Sequence, residues 1–502
     1  MSYRLEAFSS VGLDEALLRL VIDEHTSGRI PRLAQLWTYF RNPLEPVGAG
    51  ESSARLPAQH RGLPPRLVTP SSPVLDDRSR STREIVVEND IAWRIATMVD
   101  FMFGKPVQLL STADDEPLRR TIERLLDAIW ERSGGIALLQ DMALLAHVYG
   151  YVDMLVRLDE PALSRAGALA PGDDASHLIE RIAAMVSIEI IEPTRGIPIV
   201  SPEDYRGLDA YVVHFEREVN QTEPSRQLRR TLFARQRPQA SAAPRRRRSA
   251  VTEIFGPGLW QRYEDEQLVD EAPSALLPGL VPIVHVQNMA QPFRYEGLSE
   301  VEPLIPLQDE LNTRLSDRAN RVTMQSFKMY LATGLDGFDR VPVAPGQIWV
   351  TDNPDAKIES FGGDADSPSE RVHIDEIREA MDKISAVPPL AGGVIRAKIG
   401  NLSSATALKV TLMGLLAKTA RKRVTYGRGL TGVCELVLAA LDAAGVLRTS
   451  PQDRRLRVLW PDPLPVEPGE EVAAARNKIE LGVPAERVLG ELGYAASDPG
   501  IA

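Results

Sequence analysis

Residues 387–409, VPPLAGGVIRAKIGNLSSATALK, join two segments that both read as helices. Pro388 and Pro389 stop the first, because proline lacks the N–H donor and forces its predecessor out of the α region. Gly392, Gly393 and Gly400 punctuate the residues between, and Ser403 or Ser404 stands where an N-cap opens the second helix. Residues 388–402 are therefore a short loop, and it carries Arg396, Lys398 and Asn401.

Downstream, Leu408, Leu412, Leu415, Leu416 and Val424 fall on one side of a helix of about forty residues, 405–444, with Lys418, Arg421, Lys422 and Arg423 further along. Gly427, Gly429 and Gly432 lie within it, where a kink is expected. A strand at 456–460, a proline-rich turn and two small helices follow. Upstream, residues 368–386 form a helix with Ser367 as its cap and Val372, Ile377, Met381 and Ile384 as its apolar positions. Residues 328–367 are short strands and turns. Before them Leu304, Leu307, Leu311 and Leu315 mark a helix reaching Phe327, a rod of roughly 35–40 Å at about 1.5 Å per residue.

The N-terminal half is mixed. Residues 14–41 read as two short helices broken near Gly28, and the Pro-, Gly-, Ser- and Arg-rich residues 43–83 as a loop or partly disordered arm. Helices are expected from Asn89, over 118–132 and over 135–149, and strands at 151–156, 210–215, 251–255, 260–263 and 281–286. Residues 224–249, ending in Arg245-Arg246-Arg247-Arg248, read as a flexible basic insertion, either touching nucleic acid or simply solvated.

Composition narrows the function. The chain has 502 residues, 43% hydrophobic and 25% charged, with a net charge of -11. This acidity argues against a tight static DNA binder, since gripping phosphates takes clustered cations, but it does not oppose a conduit in which DNA must slide. No apolar run approaches the roughly 20 residues of a membrane span, and the first thirty residues do not read as a secretory signal. The single cysteine, Cys434, forms no intrachain disulfide and reads as a core residue. Gly104-Lys105 is followed by proline, so it is not a P-loop. Gly256-Pro257-Gly258 lacks the third glycine of a dinucleotide fingerprint, and neither a metalloprotease histidine pair nor a Gly-x-Ser-x-Gly elbow occurs. Asp114-Asp115 and Asp173-Asp174 lie in turns. The reading is of a protein that is not an enzyme and needs no cofactor.

A mixed region, a helix, a small β excursion, a second helix, a glycine loop and a longer helix, in that order, resemble the portal proteins of tailed bacteriophages, in the family typified by the portal of the Bacillus phage called SPP-one. Residues 89–108 (NDIAWRIATMVDFMFGKPVQ) resemble its helix ending in an aromatic-Gly-Lys-Pro-Val turn. Residues 282–288 (PIVHVQN), Gly297-Leu298-Ser299, Asn312 and residues 316–320 (SDRAN) resemble its strand and first stem helix. Residues 403–409 (SSATALK) resemble the start of the helix behind its tunnel loop, although Ala405-Thr406 departs from the usual Ser-Gly pair.

The resemblance implies an α+β, predominantly helical fold with wing, stem, clip and crown, assembled as a homo-oligomeric ring of twelve. It divides the chain into N-terminal helices and arm (1–84), wing (85–300), stem helices (301–327 and 368–387), clip (328–367), tunnel loop (388–402), a long kinked helix (403–445) and crown (446–502). It implies a channel for double-stranded DNA at a capsid vertex, with non-specific sliding contact, and an origin in the host cytoplasm during assembly. The implied partners are the terminase large subunit, the major capsid and scaffolding proteins, and head-completion or adaptor proteins, with no membrane. Arg396, Lys398 and Asn401 would line the channel, the two cations either steering phosphates or pairing with acids of a neighbouring subunit. Trp349, Asp352 and Lys357 would serve motor or connector docking. A helical scaffold without a channel is the alternative, weakened by the glycines in the long helix.

Overall fold

The computed structural model describes residues 3–47, 54–68, 84–172, 176–220, 246–326, 329–333, 355, 357–361, 368–392, 409–464, 468–485 and 488–489. Helix outweighs strand, 52% against 20%, so the class is mixed and predominantly helical.

Helix α1 (Glu15–Glu24) is capped by Asp14, whose carboxylate accepts from Leu17 N at 2.8 Å. It does not break at Gly28 as the sequence suggested. A π-helical turn, His25–Arg29, carries it straight into α2 (Ile30–Arg41). The wider turn places the buried His25 ring with Nε2 2.9 Å from Thr194 O, a tertiary contact invisible to local reading. Residues 44–47 and 54–68 are likewise not a loop: β1 (Leu44–Val47) and β2 (Ala54–Pro57) pair antiparallel, followed by the single turn α3 (Pro65–Val68). Gln59 holds this region down, donating to Tyr39 O at 2.7 Å and to Asn89 Oδ1 at 3.0 Å.

Asn89 and Asp115 cap α4 (Asp90–Phe103) and α5 (Glu116–Ser133), on either side of β3 (Gln108–Ser111). Gly134 and Gly135, with φ of 126° and 56°, make the reversal into α6 (Gly135–Tyr149). Strand β4 (Tyr151–Leu158), the turn α7 (Glu160–Leu163), α8 (Ser176–Ala183) and β5 (Val186–Ile191) come next. Then β6 (Gly196–Val200), β7 (Leu208–Asn220), β8 (Arg246–Gly256), β9 (Leu259–Glu264) and β10 (Gln267–Pro273) form a five-stranded antiparallel meander. The basic insertion is shorter than 224–249. Residues 246–249 belong to β8, in register with β7 from Asn220↔Arg246 onward, with Arg248 paired to Glu216 across the strands.

Strand β11 (Ile283–Gln287) joins β4 and β5 in a three-stranded sheet. Helix α9 (Ile305–Ser326), strands β12 (Met329–Thr333) and β13 (Lys357–Phe361), and α10 (Pro368–Ser385) follow. Helix α10 buries Ile374, Ile377 and Met381, but Val372 and Ile384, expected on its apolar face, are exposed. After α11 (Met413–Ala443), strand β14 (Leu456–Leu459) pairs with β3, and α12 (Pro468–Glu480) follows.

One core joins α4, α5, α6 and α11 to β4, β5 and β11. A second seats Phe8, Leu13 and Leu18 against Ile197, Ala210, Val212 and Ile254 of the meander, so the N-terminal helices pack on the region expected to be the wing. By length and composition α11 is apolar enough to cross a bilayer, which corrects the expectation that no such run exists. Its Leu415, Tyr426, Leu430 and Val433 are buried in the first core.

The helical hydrogen bonding of α11 runs unbroken through Gly427, Gly429 and Gly432. These glycines bring the helix close to its neighbours. A Cβ at 429 would stand 2.4 Å from Val286 Cγ2, and one at 432 would stand 3.3 Å from Val284 Cγ1, both on β11. Gly429→Ala is therefore expected to destabilise the protein by about 1–2 kcal/mol in urea unfolding, although alanine favours an isolated helix, because overpacking outweighs propensity. A neutral or stabilising result would mean that β11 yields freely.

Candidate functional site

Of the six residues expected to contact DNA or the motor, Arg396, Lys398, Asn401, Trp349 and Asp352 lie outside the described residues. Lys357 is exposed and opens β13 opposite Thr333 of β12. The described structure supplies the platform from which residues 388–402 depart.

That platform begins where α10 stops. Ser385 ends the helix by donating its hydroxyl to Met381 O at 2.8 Å and accepting from Val387 N at 3.2 Å, while Ala386 adopts φ 59°, a left-handed conformation rare outside glycine. Strain of this kind persists only where the surroundings fix it. Arg94 of α4, with 2% of its side chain exposed, is one clamp. It donates through Nη1 to Val387 O at 2.9 Å and to Ser385 Oγ at 3.1 Å. Through Nη2 it pairs with Asp90 at 3.1 Å and Asp382 at 2.7 Å. Its guanidinium also lies over the Trp93 ring, 4.6 Å from the centroid. The guanidinium fork reaches several acceptors at once, where an ammonium would not.

Lys418 of α11 is the second clamp. Its Nζ donates to Ser385 O at 2.9 Å and to Glu300. Lys422, one turn on, pairs with the other oxygen of Glu300 at 2.7 Å. Burial alone would push the Glu300 carboxyl up, but the charges of Lys422 and Lys418 overcome it and bring it down to about 2. Burial pulls Lys422 down to about 8 against the opposing pull of Glu300, so both remain ionised near neutrality. His147, fully buried beside them, is held well below its ordinary value by burial and then by Lys422, and it stays neutral with Nδ1 donating to Ala143 O at 2.6 Å.

Helix α9 is tied to the strand-like residues before α4 by a polar ladder that the sequence reading missed. Gln308, Asn312, Ser316 and Asn320 recur every four residues and meet the backbone of residues 90, 88, 86 and 84 in turn. Asp90 N donates to Gln308 Oε1 at 3.0 Å, Glu88 N to Asn312 Oδ1 at 3.0 Å, Val86 N to Ser316 Oγ at 3.0 Å and Glu84 N to Asn320 Oδ1 at 2.9 Å. Four helical residues rise about 6 Å and two extended residues about 6.7 Å, so the two spacings match and the helix face acts as a neighbouring strand. The i, i+4 row of amides and a hydroxyl was the available signal.

A third polar centre joins the sheets. Buried Asp153 accepts from Tyr211 OH and Tyr295 OH, both at 2.7 Å, and lies 2.7 Å from His285 Nδ1. An Asp–His pair suggests a hydrolase, but His285 Nε2 faces Tyr295 O at 2.6 Å, so no nucleophile stands there to be activated. The centre locks strands together. Cys434 is fully buried, accepts from Trp130 Nε1 at 3.4 Å, and burial pushes its thiol up to about 12, in keeping with a core role. No metal-ligating cluster occurs among the described residues.

A clamped helix end, a helix held by a backbone-reading ladder and a helical wall packed on sheet make a structural scaffold. The chain belongs to the family described as phage portal protein, SPP1 Gp6-like, whose model it matches over residues 79–491. It is thus a portal protein of a capsid vertex, in a family that is structural rather than enzymatic. No curated protein matches it. Among solved structures it is similar to a chain of the virion of a native gene transfer agent particle, at 12% identity and TM-score 0.41, covering 80% of this chain and 88% of that one. It is also similar to a chain of the neck of an empty gene transfer agent particle computed with C6 symmetry, at 13% identity, TM-score 0.42 and the same coverage.

Proposed function

We propose that copies of this chain close into a ring, a dodecamer, whose axis is a channel for double-stranded DNA during packaging, retention and ejection. Residues 388–402 act as the tunnel loop and 403–445 as the helix behind it. Residues 301–327 and 368–387 act as the stem, 328–367 as the clip, 85–300 as the wing and 446–502 as the crown. The observation that carries this reading is the double clamp on residues 385–387: Arg94 from one side and Lys418 from the other fix the point at which the segment leaves its wall. A fixed point of departure lets identical segments repeat around an axis against a duplex of different symmetry, so no single register is favoured and the DNA slides.

Arg396 and Lys398, with Asn401 beside them, touch phosphates weakly and without sequence preference. Trp349, Asp352 and Lys357 present the clip to the terminase large subunit during packaging and to head-completion or adaptor proteins afterwards. Assembly with capsid and scaffolding proteins takes place in the host cytoplasm. Electron microscopy of the purified chain tests the ring: particles with an axial hole are expected, and compact monomers overturn the reading. Charge reversal tests the channel. Arg396→Glu with Lys398→Glu is expected to leave rings intact while impairing packaging or DNA retention, and unchanged packaging and retention remove these residues from the channel.

A further inference from the structure

Helices α4 and α11 pack against each other through Met98 and Lys422, whose Sδ and Nζ lie 3.5 Å apart, and through Phe103 and Tyr426, with ring centroids 6.0 Å apart. At about 100° per residue, the positions two before and two after a contact residue point away from the partner helix. On α4 these are Ala96 and Asp100, and on α11 they are Ala420 and Val424, all four exposed. The pair therefore presents two outward faces, back to back.

The two faces differ in a complementary way. The α11 face is apolar and basic: Met413 and Val424 are both 63% exposed, and Arg421 and Arg428 are exposed beside them. Arg428 makes no side-chain ion pair or hydrogen bond among the described residues. The α4 face is a concave cleft of about 740 Å³ between α4, α10 and the first residues after Pro388, walled by Trp93, Phe101, Ala96 and Ala391. Three carboxylates, Glu88, Asp90 and Asp100, line it against two guanidinium groups, Arg94 and Arg378. Arg378 is taken up by Glu88 at 2.6 Å and Arg94 by Asp90, whereas Asp100 makes no side-chain bond among the described residues. One face thus offers aliphatic groups and uncompensated cations. The other offers aromatic walls and an uncompensated carboxylate.

We infer that the exposed face of α11 in one copy docks into the α4–α10 cleft of the next copy, forming the head-to-tail contact of the assembly. This rests on the ring reading above and deepens it by assigning its two faces. A heterologous contact needs two different patches on one chain, and patches on opposite sides of a helix layer are what allow each copy to bind two neighbours at once. Aromatic walls closing on aliphatic side chains, with charges at the rim, form the usual centre of such an interface.

The test uses the full chain, with mass photometry and sedimentation for size and circular dichroism for folding. Ala96→Arg spoils only the cleft and Val424→Glu only the α11 face, and both positions are exposed. Each variant alone is expected to remain folded and lose rings, with association weakened roughly 30-fold or more. An equimolar mixture of the two is expected to form dimers and nothing larger, because each retains one sound face, and these can meet only once. If a variant fails to fold, Asp100→Ser and Arg428→Ser replace the pair with the same expectations. Rings from either variant, or a mixture that stays monomeric, overturn the assignment while leaving the ring reading intact. A wild-type chain that forms no ring overturns both. A Val424→Glu variant that forms rings but loses a different protein or DNA assigns the face elsewhere and likewise overturns the proposal.

Discussion

Arg94→Met is expected to lower the unfolding free energy by about 3–5 kcal/mol, the usual range when one partner of a buried ionic network is removed. The size follows from what the substitution strands. Val387 O loses its guanidinium donor, and Asp90 loses its counter-charge where its side chain is only 9% exposed. Asp90 keeps only its bond from Trp93 Nε1 at 2.7 Å and its tie to α9 through its own N–H. The left-handed Ala386 then loses one of its two restraints, so amide exchange at residues 386–387 should accelerate beyond the global change. Arg94→Lys keeps the charge but not the fork, and is expected to fall between wild type and Arg94→Met. Urea unfolding measures the first effect and hydrogen exchange the second. A loss under about 1 kcal/mol with unchanged exchange would mean that Lys418 alone holds the junction.

What the sequence disclosed and what it hid divide along the range of the contacts. Asn89 opens α4 where the sequence places it, because a cap acts within three residues, whereas Asp115, which reads as a turn residue, is the cap of α5. The alternating residues 151–156, 210–215 and 251–255 become β4, β7 and β8 because a two-residue period is local too. Residues 54–68 look like loop for the same reason, since they are held by Gln59, which reaches Tyr39, Asn89 and Asn312. On α10 the sequence offers Val372, Ile377, Met381 and Ile384, whereas packing keeps Ile377 and Met381, adds Ile374 and exposes the other two, and only the neighbouring helix decides between such stripes. The cationic cluster at 418–423 has no visible partner in the sequence, because Glu300 is brought beside Lys418 from 118 residues away. The glycines of α11 read as places to bend until β11 lies against them. The order of elements was thus legible, together with the family, while the clamps that position the candidate site depend on pairs that no local pattern contains.

Glu300→Gln is expected to cost about 3–5 kcal/mol and to flatten the acid limb of the stability profile. Wild-type Glu300 is ionised because Lys422 and Lys418 together outweigh its burial, and its carboxyl sits at about 2 instead of the ordinary 4.5. A carboxyl lowered by folding stabilises the protein at pH values above its unfolded value, and that contribution disappears as pH falls from about 4.5 through about 2. The difference corresponds to about 3 kcal/mol across that window. The glutamine variant has no proton to take up there, so its unfolding free energy should fall less steeply between those limits, from a lower starting point at pH 7. The two cations respond unequally. Lys422→Met removes a fully buried ammonium, pulled down to about 8 by that burial, and leaves Glu300 paired with Lys418. Its cost is expected to be no more than about 2 kcal/mol, because a methionine of similar length fills the space beside Met98 and no charge is stranded. Glu300→Gln instead leaves two ammonium groups facing each other with no anion between them, and also weakens the hold of Lys418 on Ser385 O. Denaturant unfolding at pH 7, 4 and 3 separates the cases. Equal losses for Glu300→Gln and Lys422→Met, or parallel acid limbs for Glu300→Gln and wild type, would show that Glu300 is not the charge on which the Lys418 clamp depends.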